Sequence, residues 1–232
     1  MTLPSTSPTV SASESLWPAR IAIVTIIALQ VVLNEALTAG PNWLLPTLEA
    51  ALLIPLSVVR HSQHRRSTSP AELGQAWLLS HGTMRVLAFL LIAFLNLANL
   101  VSLVLLVDSL LHGSKATGRL LLINALNIWV TNIIVFALWY WELDRGGPLK
   151  RSQHQERRPD LLFPQMTGAD GAGDWRPSFI DYLFVAFTNA TAFSPTDTLP
   201  LTPNAKLLMM GQATTSLLTI ALVASRAVNI LS

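Results

Sequence analysis

Residues 187–202 read Phe-Thr-Asn-Ala-Thr-Ala-Phe-Ser-Pro-Thr-Asp-Thr-Leu-Pro-Leu-Thr. The stretch is too polar to be a spanning helix and too apolar to be an ordinary surface loop, yet it lies between two long apolar runs. Irregular backbone at membrane depth survives only where protein or a water-filled cavity surrounds it. The pattern therefore predicts a re-entrant hairpin: a short helix over 178–190, a tight polar turn, and a return to Thr202. There Thr202-Pro203 supplies an N-cap followed by proline at the first helical position, which marks the start of the next helix.

Working outward, the chain has 232 residues, 51% hydrophobic and 12% charged, with a mean hydropathy of +0.49. A soluble domain carries about 25% charge. Half that value, arranged in long uncharged runs, predicts an integral membrane protein. A spanning helix needs roughly 17–25 apolar residues. Five segments qualify, near 19–37, 43–59, 84–111, 120–141 and 203–231. The expected fold class is all-α: a polytopic membrane protein of five transmembrane helices plus one re-entrant pore-type helix-loop. Gly40-Pro41-Asn42 predicts a tight turn joining the first two spans. Ala71–Ser80 predicts a short interfacial helix with Trp77 as anchor. Trp139, Tyr140 and Trp141 predict an aromatic belt where the fourth span leaves the lipid.

The domain organisation follows: a disordered Ser/Thr/Pro-rich tail over 1–18, an N-terminal three-helix region over 19–118, and a second unit over 119–232. The second unit divides into an outer helix at 120–141, a hydrophilic linker at 142–177, the hairpin at 178–202 and an inner helix at 203–231. The tail has neither the basic start nor the apolar core of a cleavable signal peptide. The Gly/Ala/Asp-rich patch at 168–174 predicts a flexible surface loop.

Polar residues inside spans are costly and informative. Gln212, Thr215, Ser216, Thr219 and Arg226 recur at three- and four-residue spacing on the last helix and form one stripe. The stripe can line water, or it can glue helices through interhelical hydrogen bonds. Asn96 and Asn99 share a face, as do Asn124, Asn127 and Thr131, which predicts cross-helix amide pairing. Glu49 is an intramembrane carboxylate about 9 Å along its helix from Trp43, at 1.5 Å rise per residue. It is a candidate proton- or cation-binding group.

The order of a spanning helix, a linker, a short helix, a polar turn and a final spanning helix resembles the pore module of the potassium-channel superfamily. The resemblance covers about residues 178–232. Asn189-Ala190-Thr191-Ala192-Phe193-Ser194-Pro195-Thr196-Asp197-Thr198-Leu199-Pro200-Leu201-Thr202 lies without a gap over the family pattern T-A-T-T-V-G-Y-G-D-x-x-P-x-T. The family's Gly-Tyr-Gly is replaced by Ser194-Pro195-Thr196. Glycine permits the backbone conformations that turn successive carbonyls toward an ion, and proline fixes φ near −65°. The resemblance thus implies a filter or constriction at Thr191, Ser194, Pro195, Thr196 and Asp197 built from side-chain oxygens, with weak selectivity. It also implies a conduit lined by the last helix and a homotetramer. The alternative for 194–198 is a simple capping turn, with Asp197 or Thr198 holding backbone N–H groups.

With five spans and one hairpin, twelve of the 15 Lys and Arg fall on the side of the linker and three (Lys115, Arg119, Arg226) on the other. The positive-inside rule makes the linker side cytoplasmic. The hairpin then enters from the cytoplasm, as in ionotropic glutamate receptors and opposite to potassium channels. The expected location is the cell membrane, multi-pass, of bacterial plasma-membrane type. The expected partners are the lipid bilayer, inorganic ions and copies of the same chain, with no nucleic acid. There is no cysteine, hence no disulfide and no thiolate metal site, and no cofactor or metal is expected. No phosphate cradle or nucleophile–base arrangement is present, so an enzyme is not expected. The rival readings are a non-conducting scaffold or accessory subunit and a small cation-coupled transporter that uses Glu49.

Overall fold

A computed structural model describes residues 17–32, 70–112, 118–152, 158–167, 175–191 and 198–231, with side chains from Gly82 onward in the second helix and up to Ser225 in the last. Its helices in chain order are α1 (Trp17–Val32), α2 (Pro70–Leu111), α3 (Gly118–Leu143), the short α4 (Pro148–Ser152), α5 (Phe179–Thr191) and α6 (Pro203–Leu231). Two dipeptide strands, β1 (Leu161–Leu162) and β2 (Leu199–Pro200), pair antiparallel, Leu161 with Pro200 and Leu162 with Leu199.

Three helices are long and apolar enough to cross a membrane: Arg85–Leu111, Gly118–Gly146 and Pro203–Ser225. At 1.5 Å per residue these reach about 35–43 Å, against a hydrocarbon core of about 30 Å. Their outward faces carry Leu90, Leu97 and Val104 on α2, Ile123 and Leu126 on α3, and Leu207, Leu217 and Leu218 on α6. Large apolar side chains turned outward along whole helices, with amides turned inward, suit a lipid solvent. The chain is accordingly a mostly helical membrane protein. The span expected at 43–59, with Glu49, lies outside the described residues.

Two expectations change. The separate interfacial helix at 71–80 is instead the first part of α2, which runs unbroken for 42 residues. Pro70 stands at its first position, where the missing N–H costs nothing, and no later proline interrupts the helix. The aromatic belt also turns inward. Tyr140 and Trp141 are buried, and Trp139 is half-buried with its ring 5.6 Å from that of Phe89. Asp108, at the end of α2, is exposed and meets its own helix neighbour His112, Nδ1 to Oδ1 at 2.9 Å.

The core is organised around α3. Of the spanning segments it is the most buried, at 61%, and α6 the least, at 22%. One cluster joins α1 (Ala22, Ile26), α2 (Leu91, Leu95), α3 (Val135, Leu138, Tyr140), α5 (Tyr182, Val185, Ala186) and α6 (Ala205, Met209). A second cluster lies toward the α2–α3 connection and joins Leu103 and Leu106 to Leu121, Ala125 and Ile128, with Leu222 and Val223 of α6 against it. α6 runs antiparallel to α3, because Tyr140 meets Gln212 while Asn132 meets Ser216.

Candidate functional site: the seat of a helical hairpin

The turn that ends α3 is the first component. Asp144-Arg145-Gly146-Gly147 carries three positive φ values in a row, 54°, 87° and 94° for Arg145, Gly146 and Gly147. At Gly147 a Cβ would stand 3.2 Å from the carbonyl oxygen of Glu142, so only glycine fits the reversal without strain. This turn drives Asp144 into the protein, where it is fully buried.

Asp144 then ties three elements together. Its Oδ1 accepts the backbone N–H of Asp160 at 2.8 Å and of Leu161 at 3.3 Å, which fixes β1. Its Oδ2 accepts the Tyr182 hydroxyl of α5 at 2.7 Å. The Arg145 guanidinium lies 3.6 Å from the same oxygen. Buried Arg151 donates from Nη1 to the carbonyls of Trp141 at 2.8 Å and Asp144 at 2.7 Å. It thus clamps the C-terminal end of α3 and the turn that follows it. Its guanidinium also sits over the rings of Trp141 and Tyr182.

Asp160 extends the clasp to α6. Its Oδ2 accepts the Arg145 backbone N–H at 3.1 Å and its Oδ1 accepts the Thr202 hydroxyl at 2.7 Å. The Thr202 Oγ1 in turn accepts the N–H of Ala205 at 3.3 Å, the capping contact that Thr-Pro predicts. Leu201 N–H donates to the Asp160 carbonyl at 2.9 Å and prolongs the β1–β2 pairing. At the start of α5, Ser178 donates from both its backbone N–H and its hydroxyl to Asp181 Oδ2 at 2.7 Å.

A second polar hub lies deeper. Gln212 of α6 is fully buried. Its Oε1 accepts from the Tyr140 hydroxyl at 2.6 Å and from Asn189 Nδ2 at 2.8 Å, and its Nε2 donates to the carbonyl of Ala186 at 2.7 Å. Asn189 also donates to the carbonyl of Met209 at 3.0 Å. One glutamine therefore joins α3, α5 and α6.

These contacts define the path of α5. It starts beside Asp144 at the end of α3, runs between α3 and α6, and reaches Tyr140 and Gln212 by Asn189. By Thr198, which is buried, and β2 the chain is back beside Asp160, at the end from which it set out. Both feet of the segment 178–202 stand on the same clasp.

The sequence-derived candidates fall in different places. Thr191 closes α5, half-buried, its hydroxyl donating to the Thr188 carbonyl at 3.1 Å. Ser194, Pro195, Thr196 and Asp197 lie outside the described residues, as does the side chain of Arg226. Gln212, Ser216 and Thr219 are buried within the protomer, and Ser216 accepts from Asn132 Nδ2 at 2.7 Å. Thr215 is half-buried and bonds its own helix at Gly211. The exposed face of α6 carries Leu207, Met210, Thr214, Leu217 and Leu218.

Sequence reasoning treated 142–177 as a surface linker and missed Asp144, Asp160, Arg151, Tyr182 and the hub role of Asn189. One signal was available: Glu142-Leu143-Asp144-Arg145-Gly146-Gly147-Pro148 directly follows a long uncharged run, and a carboxylate there is best satisfied inward. Chemically the clasp is structural. Each carboxylate accepts from backbone or hydroxyl donors, and no group of three or more metal-ligating side chains stands together among the described residues. Comparison with protein-family models, with curated proteins and with solved structures finds no match to this chain.

Proposed function

We propose that this chain is an ion-channel-like membrane subunit whose segment 178–202 re-enters the bilayer as a pore hairpin. Copies assemble around a shared axis, a homotetramer by its resemblance to the potassium-channel pore module. Inorganic ions pass a constriction formed by Thr191, Ser194, Thr196 and Asp197, with weak selectivity because no glycine is present to build a carbonyl stack. The observation that carries this reading is the path of α5: it leaves the clasp at Asp144, reaches the level of Gln212, and the chain returns to the same clasp at Thr202. On this reading the polar sequence that follows α5 lies at membrane depth, where it cannot face lipid, which calls for other copies around it. Thr215, half-buried on α6, is then the described member of the expected lining stripe left to face the conduit. The basic-residue count puts the hairpin's entry on the cytoplasmic side.

A second reading is favoured by the burial of Gln212, Ser216 and Thr219. These residues bond within the protomer, so the hairpin also suits a packing element in a non-conducting subunit. Planar-bilayer recordings of purified wild type and Asp197→Asn, each checked for oligomeric state, separate the two. Current whose conductance or ion preference changes with the substitution supports the channel. Silence from intact oligomers rejects conduction and favours the packing element.

A further inference from the structure

We infer that the middle of each protomer holds ordered water, bound by a seam of neutral amides on α1, α2 and α3 that is separate from the hairpin. Four amide atoms there have no hydrogen-bond partner among the described residues: Gln30 Oε1, Asn99 Nδ2, Asn124 Nδ2 and Asn132 Oδ1. Each of the four side chains is more than nine-tenths buried, with exposures of 8%, 5%, 2% and 0%.

The contacts around them set a common level. Asn127 Nδ2 donates to the carbonyl of Leu29 at 2.7 Å, which brings the end of α1, with Gln30 next in sequence, to the middle of α3. Leu103, one turn beyond Asn99 on the same face of α2, packs in one cluster with Leu121, Ala125 and Ile128, residues that bracket Asn124. Asn132 is held against α6 through Ser216. At 100° per residue, Asn124 projects between the direction of Asn127, toward α1, and that of Asn132, toward α6. Asn124 to Asn132 covers about 12 Å of helix at 1.5 Å per residue, near the centre of the 29-residue span 118–146.

The chemistry of the set selects the ligand. An amide in hydrocarbon must find a partner, and these four offer both acceptors and donors. A bare cation uses acceptors alone and an anion uses donors alone. Water uses both and is retained in a protein interior when two to four polar groups surround it. All four are uncharged at any pH. The seam is thus a neutral hydration site within the span, and it persists in a protomer that conducts nothing.

The test is radiolytic footprinting of the purified full-length chain in nanodiscs with ¹⁸O-labelled water, read by mass spectrometry. Bound internal water deposits label on side chains beside it irrespective of bulk exposure. Leu103 and Ile128, both nearly inaccessible, are expected to take up label at least three-fold faster than Leu91 and Leu138, which are equally buried in the apolar cluster. In Asn99→Leu/Asn124→Leu, and in the milder single Asn124→Leu, that excess is expected to fall to the rate of Leu91. Equal rates at all four positions of the wild type mean that the amides satisfy one another in a dry core, and overturn the inference. An excess that survives in a folded Leu variant assigns the label to bulk water and overturns it equally. The hairpin plays no part in either outcome.

Discussion

Replacing Gln212 by leucine separates a buried hub from a water-facing pore residue. Gln212 makes three side-chain bonds to other helices, accepting from Tyr140 and Asn189 and donating to Ala186. Interhelical bonds in membranes average about 0.6 kcal/mol each, so their loss alone costs about 2 kcal/mol. The Tyr140 hydroxyl is then left as an unpaired donor on a fully buried residue. A stranded donor adds about 1–3 kcal/mol, which takes the loss to about 3–5 kcal/mol. Leucine returns little of this, because the site is already filled by a side chain of similar size. A residue facing water gives a change within about 0.5 kcal/mol. Reversible unfolding in mixed micelles, or steric trapping in bicelles, reads the difference. The companion variant Tyr140→Phe completes a double-mutant cycle, with an expected coupling of about 0.6–1.7 kcal/mol. A Gln212→Leu protein within 0.5 kcal/mol of wild type, or a cycle with no coupling, refutes the hub.

Other consequences can be checked in the same way. Asp144→Ala removes the acceptor for two backbone N–H groups and for Tyr182, and leaves buried Arg145 without its carboxylate neighbour; a loss of about 3–5 kcal/mol is expected, together with faster proteolytic cleavage between residues 158 and 178. Thr202→Ala loses the N-cap of α6 and a partner of Asp160, for about 1–2 kcal/mol, and Thr202→Ser is expected to restore most of it in the same unfolding assay. Gly147→Ala forces a side chain into a backbone region reserved for glycine and against the Glu142 carbonyl, for about 1–3 kcal/mol. Leu97→Ala, on the exposed face of α2, is expected to change the same unfolding free energy by no more than about 0.5 kcal/mol.

How much of this was legible in the sequence depends on the range over which each signal acts. The start of α6 at Pro203 and the capping by Thr202 are local and were readable from two residues. The extent of α5 was readable to within a residue, a helix over 178–190 being expected and Phe179–Thr191 found. The inward turn of the aromatic residues on α3 was not readable. Trp-Tyr-Trp at a helix end has the composition of a lipid interface, and only the long-range partners Gln212 and Phe179 show that the rings are internal. The clasp was hidden for the same reason. Asp144 and Asp160 lie in a hydrophilic stretch whose composition indicates solvent, and the bonds that hold them reach 38 residues to Tyr182 and 42 to Thr202. The stripe on α6 was visible as a pattern, but periodicity fixes a face without saying what the face meets. Glue and lining have the same spacing.

The placement of the two polar clusters constrains how a hairpin of this kind can move. The clasp holds the two feet of 178–202 through two linked aspartates, Tyr182 on Asp144 and Thr202 on Asp160. The hub holds the inner end of α5 through Asn189, on the same α6 that Thr202 anchors. Between them lies the apolar stretch Val185–Ala186, with nothing polar to rupture except the Gln212 bond to the Ala186 carbonyl. A motion of the hairpin alone therefore breaks Tyr182–Asp144, Asn189–Gln212, Asn189–Met209 and Gln212–Ala186. A motion of α5 and α6 together keeps Asn189–Gln212, Asn189–Met209 and Gln212–Ala186, and breaks Tyr182–Asp144, Tyr140–Gln212 and Asn132–Ser216. The second needs fewer buried groups to lose partners, and stranded polar groups dominate the cost of rearrangement in hydrocarbon. Any conformational change at this site is thus expected to carry α5 and α6 as one body against α3, with Tyr140, Tyr182 and Ser216 as the three hydroxyls that exchange partners.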